Sequence, residues 1–375
     1  MGMPGPGMGM PGPGMMGPPP KRGGSGALIG IIVGGVLAVV LIIVAVVVVV
    51  AINSGPSTKE RLTLASNELN TARAVTYKGS FSAGSDNLRG EMLVTKGGRA
   101  TGQVDWTGDN VTVLSAEDKV FVKAPKDYWE DKLTSTVAER FLKEGEQWGQ
   151  VRESELSVKF HEDLTPAALA TEMRRLALRT GLTSTETTVG GEKAHKISTS
   201  LTTFYVSDGE EPELLRYEKG SSPRVSADVT VQSTRDGSGP IGQMRTTMGE
   251  LTDSFDAGTT ASNAAKPEFV SCDKGGAPCT VKVRVSSTRT GDSSVQVKVN
   301  FKLTSEQGGG RHYGNCEATG TVTGLTPVTV QCTISGGDWA KHGKKARRVW
   351  VSAAPMAIAA TSADVRALQQ GLDAE

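Results

Sequence analysis

Four histidines, His161, His195, His312 and His342, and four cysteines, Cys272, Cys279, Cys316 and Cys332, are the residues best suited to chemistry at neutral pH. Each histidine stands singly in polar surroundings, with no G-x-S-x-G turn and no thiol partner beside it, so nucleophilic catalysis has no local signature. The chain also lacks H-E-x-x-H, G-x-x-x-x-G-K-[ST] and an acidic calcium loop. His161-Glu162-Asp163 groups three ionisable residues, but it precedes Thr165-Pro166, where the dipole of a starting helix favours acids. These patterns predict a binding or interaction protein rather than an enzyme, and no cofactor.

The cysteines admit two chemistries. A zinc site with His312 as a further ligand is the sharper one, but the spacings C-x6-C and C-x15-C are not those of zinc knuckles or fingers. An even number of cysteines in a β-rich stretch fits disulfides in an oxidising compartment. Of the three possible connectivities, 272–279 and 316–332 is the most economical, because the first pair flanks a Gly-Gly-Ala-Pro turn and the second lies on neighbouring strand runs.

The elements that must hold these residues follow from composition. A chain of 375 residues suggests two folded units. With 41 basic against 40 acidic residues, no overall field recruits nucleic acid. Residues 1–20 contain only Met, Gly and Pro and have nothing to bury, so 1–26 is expected to be a disordered cytoplasmic tail. Residues 27–52 carry no polar side chain and include nineteen Val, Ile or Leu, which predicts a transmembrane helix too long for a signal peptide. No cysteine near its end offers a lipid anchor. Gly30 and Gly34 would let two such helices approach closely. The cysteines place 53–375 on the extracytoplasmic side of a single-pass cell-membrane protein.

Beyond this run, Ser57 to Glu60 is a capping box, and Leu62, Ala65, Leu69 and Ala72 follow at helical spacing. Strands are expected at Thr76–Ser82, Glu91–Thr95, Thr101–Thr107, Asn110–Ser115 and Lys119–Lys123. Helices follow around Val137, Phe141 and Leu142, and after Thr165-Pro166 with Leu169, Met173 and Leu176 on one face. Strands resume from Lys196 and close with Gln243–Met248. The fold class expected is α+β and all-β: a transmembrane helix, a curved antiparallel sheet at 57–265 with helices on its concave face, and a small disulfide-containing β-sandwich at 266–356. A tail at 357–375, compatible with a helix, follows.

The first unit resembles the LppX and LprG family of actinobacterial cell-envelope lipoproteins, which share a half-barrel with the periplasmic carrier LolA. The resemblance spans about residues 60–256. It is carried by the order of three stretches: Val120–Trp129, Val189–Ile197 and the closing strand Gln243–Met248. It implies an apolar cavity between sheet and helices that holds a lipid or glycolipid. The lipobox cysteine of that family is absent here.

Alternation places Val104 with Trp106, Val111 with Val113, and Val120 with Val122 on common faces of consecutive strands, the candidate ligand-binding surface. Residues 57–265 are net acidic and 266–375 net basic, with Lys341, Lys344, Lys345, Arg347 and Arg348 a candidate contact for an anionic envelope component. The expected function is binding of a lipid or other apolar ligand in the half-barrel. The alternative is an interaction or sensor ectodomain without a small ligand.

Overall fold

The structure is a computed structural model, which describes residues 55–375 apart from 84–85, 157, 234–237, 273–277, 289–293 and 343–347. The tail at 1–26 and the apolar run at 27–52 lie outside the described residues. Among the described residues no helix is long and apolar enough to cross a membrane. The first helix, α1 (Thr58–Thr71), has 14 residues and buries only one face. At about 1.5 Å per residue it falls short of the ~30 Å hydrocarbon layer. The expected single-pass anchor, integral membrane partnership and cytoplasmic/extracytoplasmic division thus have no membrane-crossing helix to carry them among the described residues.

Strands dominate. A meander forms β1 (Ala74–Ala83), β2 (Asp86–Thr95), β3 (Ala100–Trp106), β4 (Asp109–Ala116) and β5 (Lys119–Pro125). Short helices α2 (Lys126–Glu130) and α3 (Ser135–Phe141) lead into β6 (Glu146–Val151), and α4 (Phe160–Asp163) and α5 (Pro166–Ala177) follow. A second run supplies β7 (Thr185–Val189), β8 (Glu192–Ser198), β9 (Thr202–Ser207), β10 (Leu214–Lys219) and β11 (Val225–Gln232), with β11 pairing back on β1. The chain then makes α6 (Ser238–Gly249), β12 (Ser254–Asp256), β13 (Ala261–Asn263), β14 (Glu268–Cys272), β15 (Cys279–Ser287), β16 (Ser294–Glu306), β17 (Gly309–Thr323), β18 (Val328–Ile334), α7 (Gly337–His342), β19 (Trp350–Ala360) and α8 (Ser362–Asp373).

Two local signals behave as read. Ser57 and Glu60 form the reciprocal capping box of α1, and Thr165 caps α5 with Pro166 in its first turn. The inward faces of the two helices, Leu62, Ala65 and Leu69 on α1 and Leu169, Met173 and Leu176 on α5, share one core with the concave face of the sheet.

The expected fold class needs three corrections. First, the sheet does not stop at a half-barrel: fifteen strands follow one hydrogen-bonded path, β17-β16-β19-β12-β6-β5-β4-β3-β2-β1-β11-β10-β9-β8-β7. The sandwich is therefore built on an extension of that sheet, with β13, β14 and β18 gathered around β15 as its second layer, and residues 56–375 are a single compact unit. Second, helices cover both faces, because α6 and α8 bury Met244, Met248, Val365, Leu368 and Leu372 against Leu93, Leu114, Phe121 and Trp148 on the side away from α1 and α5. Third, Gln243–Met248 is not a closing strand. Ile241, Met244 and Met248 recur at spacings of three and four and are all buried, the periodicity of a helix.

The link between the two ends of the sheet is narrow and tightly fitted. Phe255 of β12 lies opposite Gly149 of β6 and packs its ring 4.8 Å from that of Trp129. A side chain at Gly149 would stand 2.5 Å from the Phe255 ring, so only glycine admits this approach. Arg140 of α3 reaches across to donate to the carbonyls of Asn300 and Ser352 at 3.0 and 3.3 Å and to the Ser352 hydroxyl at 2.6 Å.

Both disulfides are formed, Cys272 with Cys279 between adjacent strands and Cys316 with Cys332 between β17 and β18, which belong to different layers of the sandwich. The cysteines are thus cross-linked rather than available as zinc thiolates. The second bridge spans 16 residues, and a loop of that size removes about 3 kcal/mol of unfolded-state freedom in the chain-entropy model. Replacing both partners, Cys316→Ser with Cys332→Ser, is expected to lower stability by about that amount. Denaturant unfolding reads it, and an unchanged midpoint would mean that the two layers hold without the bridge.

Candidate functional site

All six expected ligand residues come together. Register pairs Val104 with Val111 and Val113 with Val122, so their side chains share the concave face with Trp106 and Val120. Each is at most 4% exposed. They line none of the open clefts and belong to the same buried core as Trp129, Phe160, Leu164 and the apolar faces of α1 and α5. An apolar ligand at these residues would have to displace packed core side chains.

Open space lies instead along the flank of α5. A cleft of about 670 Å³ runs between α4, α5, the turn joining β8 to β9, and β10. Its position follows from local structure. Thr199 accepts hydrogen bonds from the amides of Leu201 and Thr202 at 3.2 and 2.9 Å, which tightens the turn and leaves Leu201 58% exposed at the rim. Ala167, Ala168 and Leu176 give α5 a low apolar wall. The floor contains Tyr217, which is buried against Phe204 at 5.3 Å between ring centroids and donates its hydroxyl to Glu172 at 3.1 Å. Burial, and then the charge of Glu172, raise the Tyr217 phenol well above its ordinary pKa, so it remains a donor throughout the physiological range.

The acids of the cleft are engaged. Lys219 pairs with Asp163 at 3.0 Å, and Lys159 and His161 each reach Glu162 at 3.4 Å. Arg175 and Arg179 line the same cleft and are exposed, and no ion pair engages either among the described residues. Sequence reading passed over these groups. Their traces were an apolar Leu201 in a Ser/Thr turn and two arginines bracketing the end of an amphipathic helix.

Among the described residues the histidines do not converge on a reaction centre. His195 lies 2.7 Å from Asp208, but that carboxylate also takes the buried Arg61 of α1 at 2.8 Å, and the group fastens the helix to the loop after β9. Among the described residues no cluster of His, Cys, Asp and Glu is placed to hold a metal ion. Of the basic cluster, Lys341 in α7 and Arg348 are exposed, while Lys344, Lys345 and Arg347 lie outside the described residues.

No protein-family model matches the chain, and no curated protein matches it. Of the three stretches that carry the resemblance to LppX and LprG, Val120–Trp129 runs from β5 into α2 and Val189–Ile197 spans the turn into β8, whereas Gln243–Met248 is helical.

One ionisable group on the helix pair is under stress. Glu68 of α1 is half-buried beside Glu211 and Glu213, and its Oε2 is sealed from solvent without a hydrogen-bond partner. Burial first, then the two neighbouring carboxylates, push its pKa up to about 7. The ordinary value is 4.5, so between these two limits the native state keeps a proton that the unfolded chain has released. Stability from this group is complete below the lower limit and is lost as pH rises through the upper one. Glu68→Gln should therefore melt higher than the parent at pH about 8 and converge with it near pH 4.5. Parallel melting curves across that range would show that Glu68 ionises without cost.

Proposed function

We propose that the protein binds an apolar or amphiphilic ligand, a lipid or glycolipid, at the layer between the curved sheet and the α1/α5 pair, with the α5 cleft as the mouth of the site. The observation that carries this reading is the cleft itself. It opens along a small-residue flank of one of the two helices roofing the concave face, an exposed leucine marks its rim, and its floor leads to the buried aromatic pair Tyr217 and Phe204. The cleft has the size of a small-ligand site, and its mostly polar and charged lining is broken by Ala167, Ala168, Leu176 and Leu201, the mixed surface an amphiphile meets. The resemblance of Val120–Trp129 and Val189–Ile197 to stretches of LppX and LprG suggests the same ligand class. The two disulfides suit work in an oxidising compartment. The fold would act by binding rather than by catalysis, since Glu162, Asp163 and the nearby His161 are tied into structural pairs.

The closed packing of Val104, Val113 and Val122 favours a second reading, an interaction domain whose concave layer is only core. Lipid content separates the two. Leu201 is exposed, so Leu201→Asp should leave the fold intact while placing a charge at the mouth, where apolar contact is required. Mass spectrometry of organic extracts is expected to find a lipid that accompanies the parent chain in a fixed ratio and falls several-fold in the variant. The comparison between the two removes any lipid attracted by the apolar residues 27–52. Equal lipid on both, or none beyond background, would leave the interaction reading.

A further inference from the structure

The lining of the α5 cleft balances three carboxylates against three cations, but the cations are unequally engaged. Asp163 pairs with Lys219, Glu162 with Lys159 and His161, and Glu172 accepts from the neutral Tyr217 hydroxyl and keeps its charge. Two guanidinium groups, Arg175 and Arg179, line the same cleft exposed and without an ion-pair partner among the described residues. The C-terminal end of α5 favours cations through its dipole, yet that field leaves the planar donors of each arginine free. Leu176, between the two in sequence, and Leu201 across the cleft supply the apolar contact.

We infer that Arg175 and Arg179 select the headgroup of the ligand, and that the ligand is an anionic amphiphile: a phosphate or carboxylate joined to an alkyl chain. The inference rests on the α5 cleft being the mouth of a lipid site. A guanidinium meets a carboxylate or phosphate with two parallel hydrogen bonds, stronger than those to a neutral sugar hydroxyl. The alkyl chain lies along Leu176 and Leu201 toward the aromatic floor. A headgroup held this way sits at the surface, so its binding weakens as salt rises.

Calorimetric titration of the full chain with dodecyl phosphate, dodecyl maltoside and inorganic phosphate, each amphiphile below its micelle threshold, tests this. The parent is expected to hold dodecyl phosphate about tenfold or more tightly than dodecyl maltoside, the difference made by one or two charge-assisted hydrogen bonds. Inorganic phosphate, lacking the chain, should bind far more weakly than dodecyl phosphate. Arg175→Gln with Arg179→Gln should abolish the preference and leave maltoside binding unchanged. Arg174→Gln with Arg366→Gln, two exposed arginines that do not line the cleft, should keep it at the same net charge. The assignment is overturned if the parent shows no preference, if the cleft variant retains it, if the control pair loses it equally, or if inorganic phosphate binds as tightly as dodecyl phosphate. Failure of the lipid-site reading looks different: neither amphiphile would then show binding that Leu201→Asp reduces.

Discussion

One alanine-rich strand holds the molecule together. β19 pairs along its length with β16 on one side and, at Ile358 and Ala360, with β12 on the other, so the great sheet passes through it. Its residues enter all three hydrophobic cores: Ala353 and Ala357 face the sandwich, Ala354 and Met356 join the near end of the large concave core, and Ala360 joins the layer under α6 and α8. Small side chains permit this, because bulky residues at a strand shared by three packed layers would force them apart. Arg140, donating to Asn300 and Ser352 from across the junction, fixes the same seam with hydrogen bonds.

That seam limits where the sheet stays open. With helices on both faces, β4 and β5 are buried on two sides at Leu114 and Phe121, and the concave valines are committed to packing. One open cleft lies at the far end from β19, where α5, the β8–β9 turn and β10 meet. On the proposed reading the cleft there is the mouth of the site, and a ligand moving inward would act on α5 and its partner α1. The orphaned carboxylate of Glu68 and the Arg61–Asp208–His195 group both sit on α1, opposing influences on how firmly that roof is held.

Much of the architecture was legible locally. Capping residues placed α1 and α5, alternation placed the concave face, and the turn between Cys272 and Cys279 gave the disulfide pairing. What escaped was global. Leu114 beside Val113, and Phe121 between Val120 and Val122, marked strands apolar on both faces and hence a second layer of helices, a signal weaker than simple alternation. β19 reads poorly as a strand because alanines and Pro355 lack β preference, and proline cannot donate to a ladder. It is tolerated in a stretch that β12 does not reach. The site was less legible still, since Arg175, Leu201 and Tyr217 come from three separate segments and only the fold brings them to one cleft.

If β19 unites the three cores, neither end of the sheet can open alone. Native-state hydrogen exchange with the disulfides intact compares the slowest amides of β3 and β4 with those of β15 and β16. The same opening free energy is expected for both sets, equal to that of global unfolding. Protection in β15 and β16 that fails several kcal/mol below the value for β3 and β4 would show two independent units, and would contradict a structure held through a single shared strand.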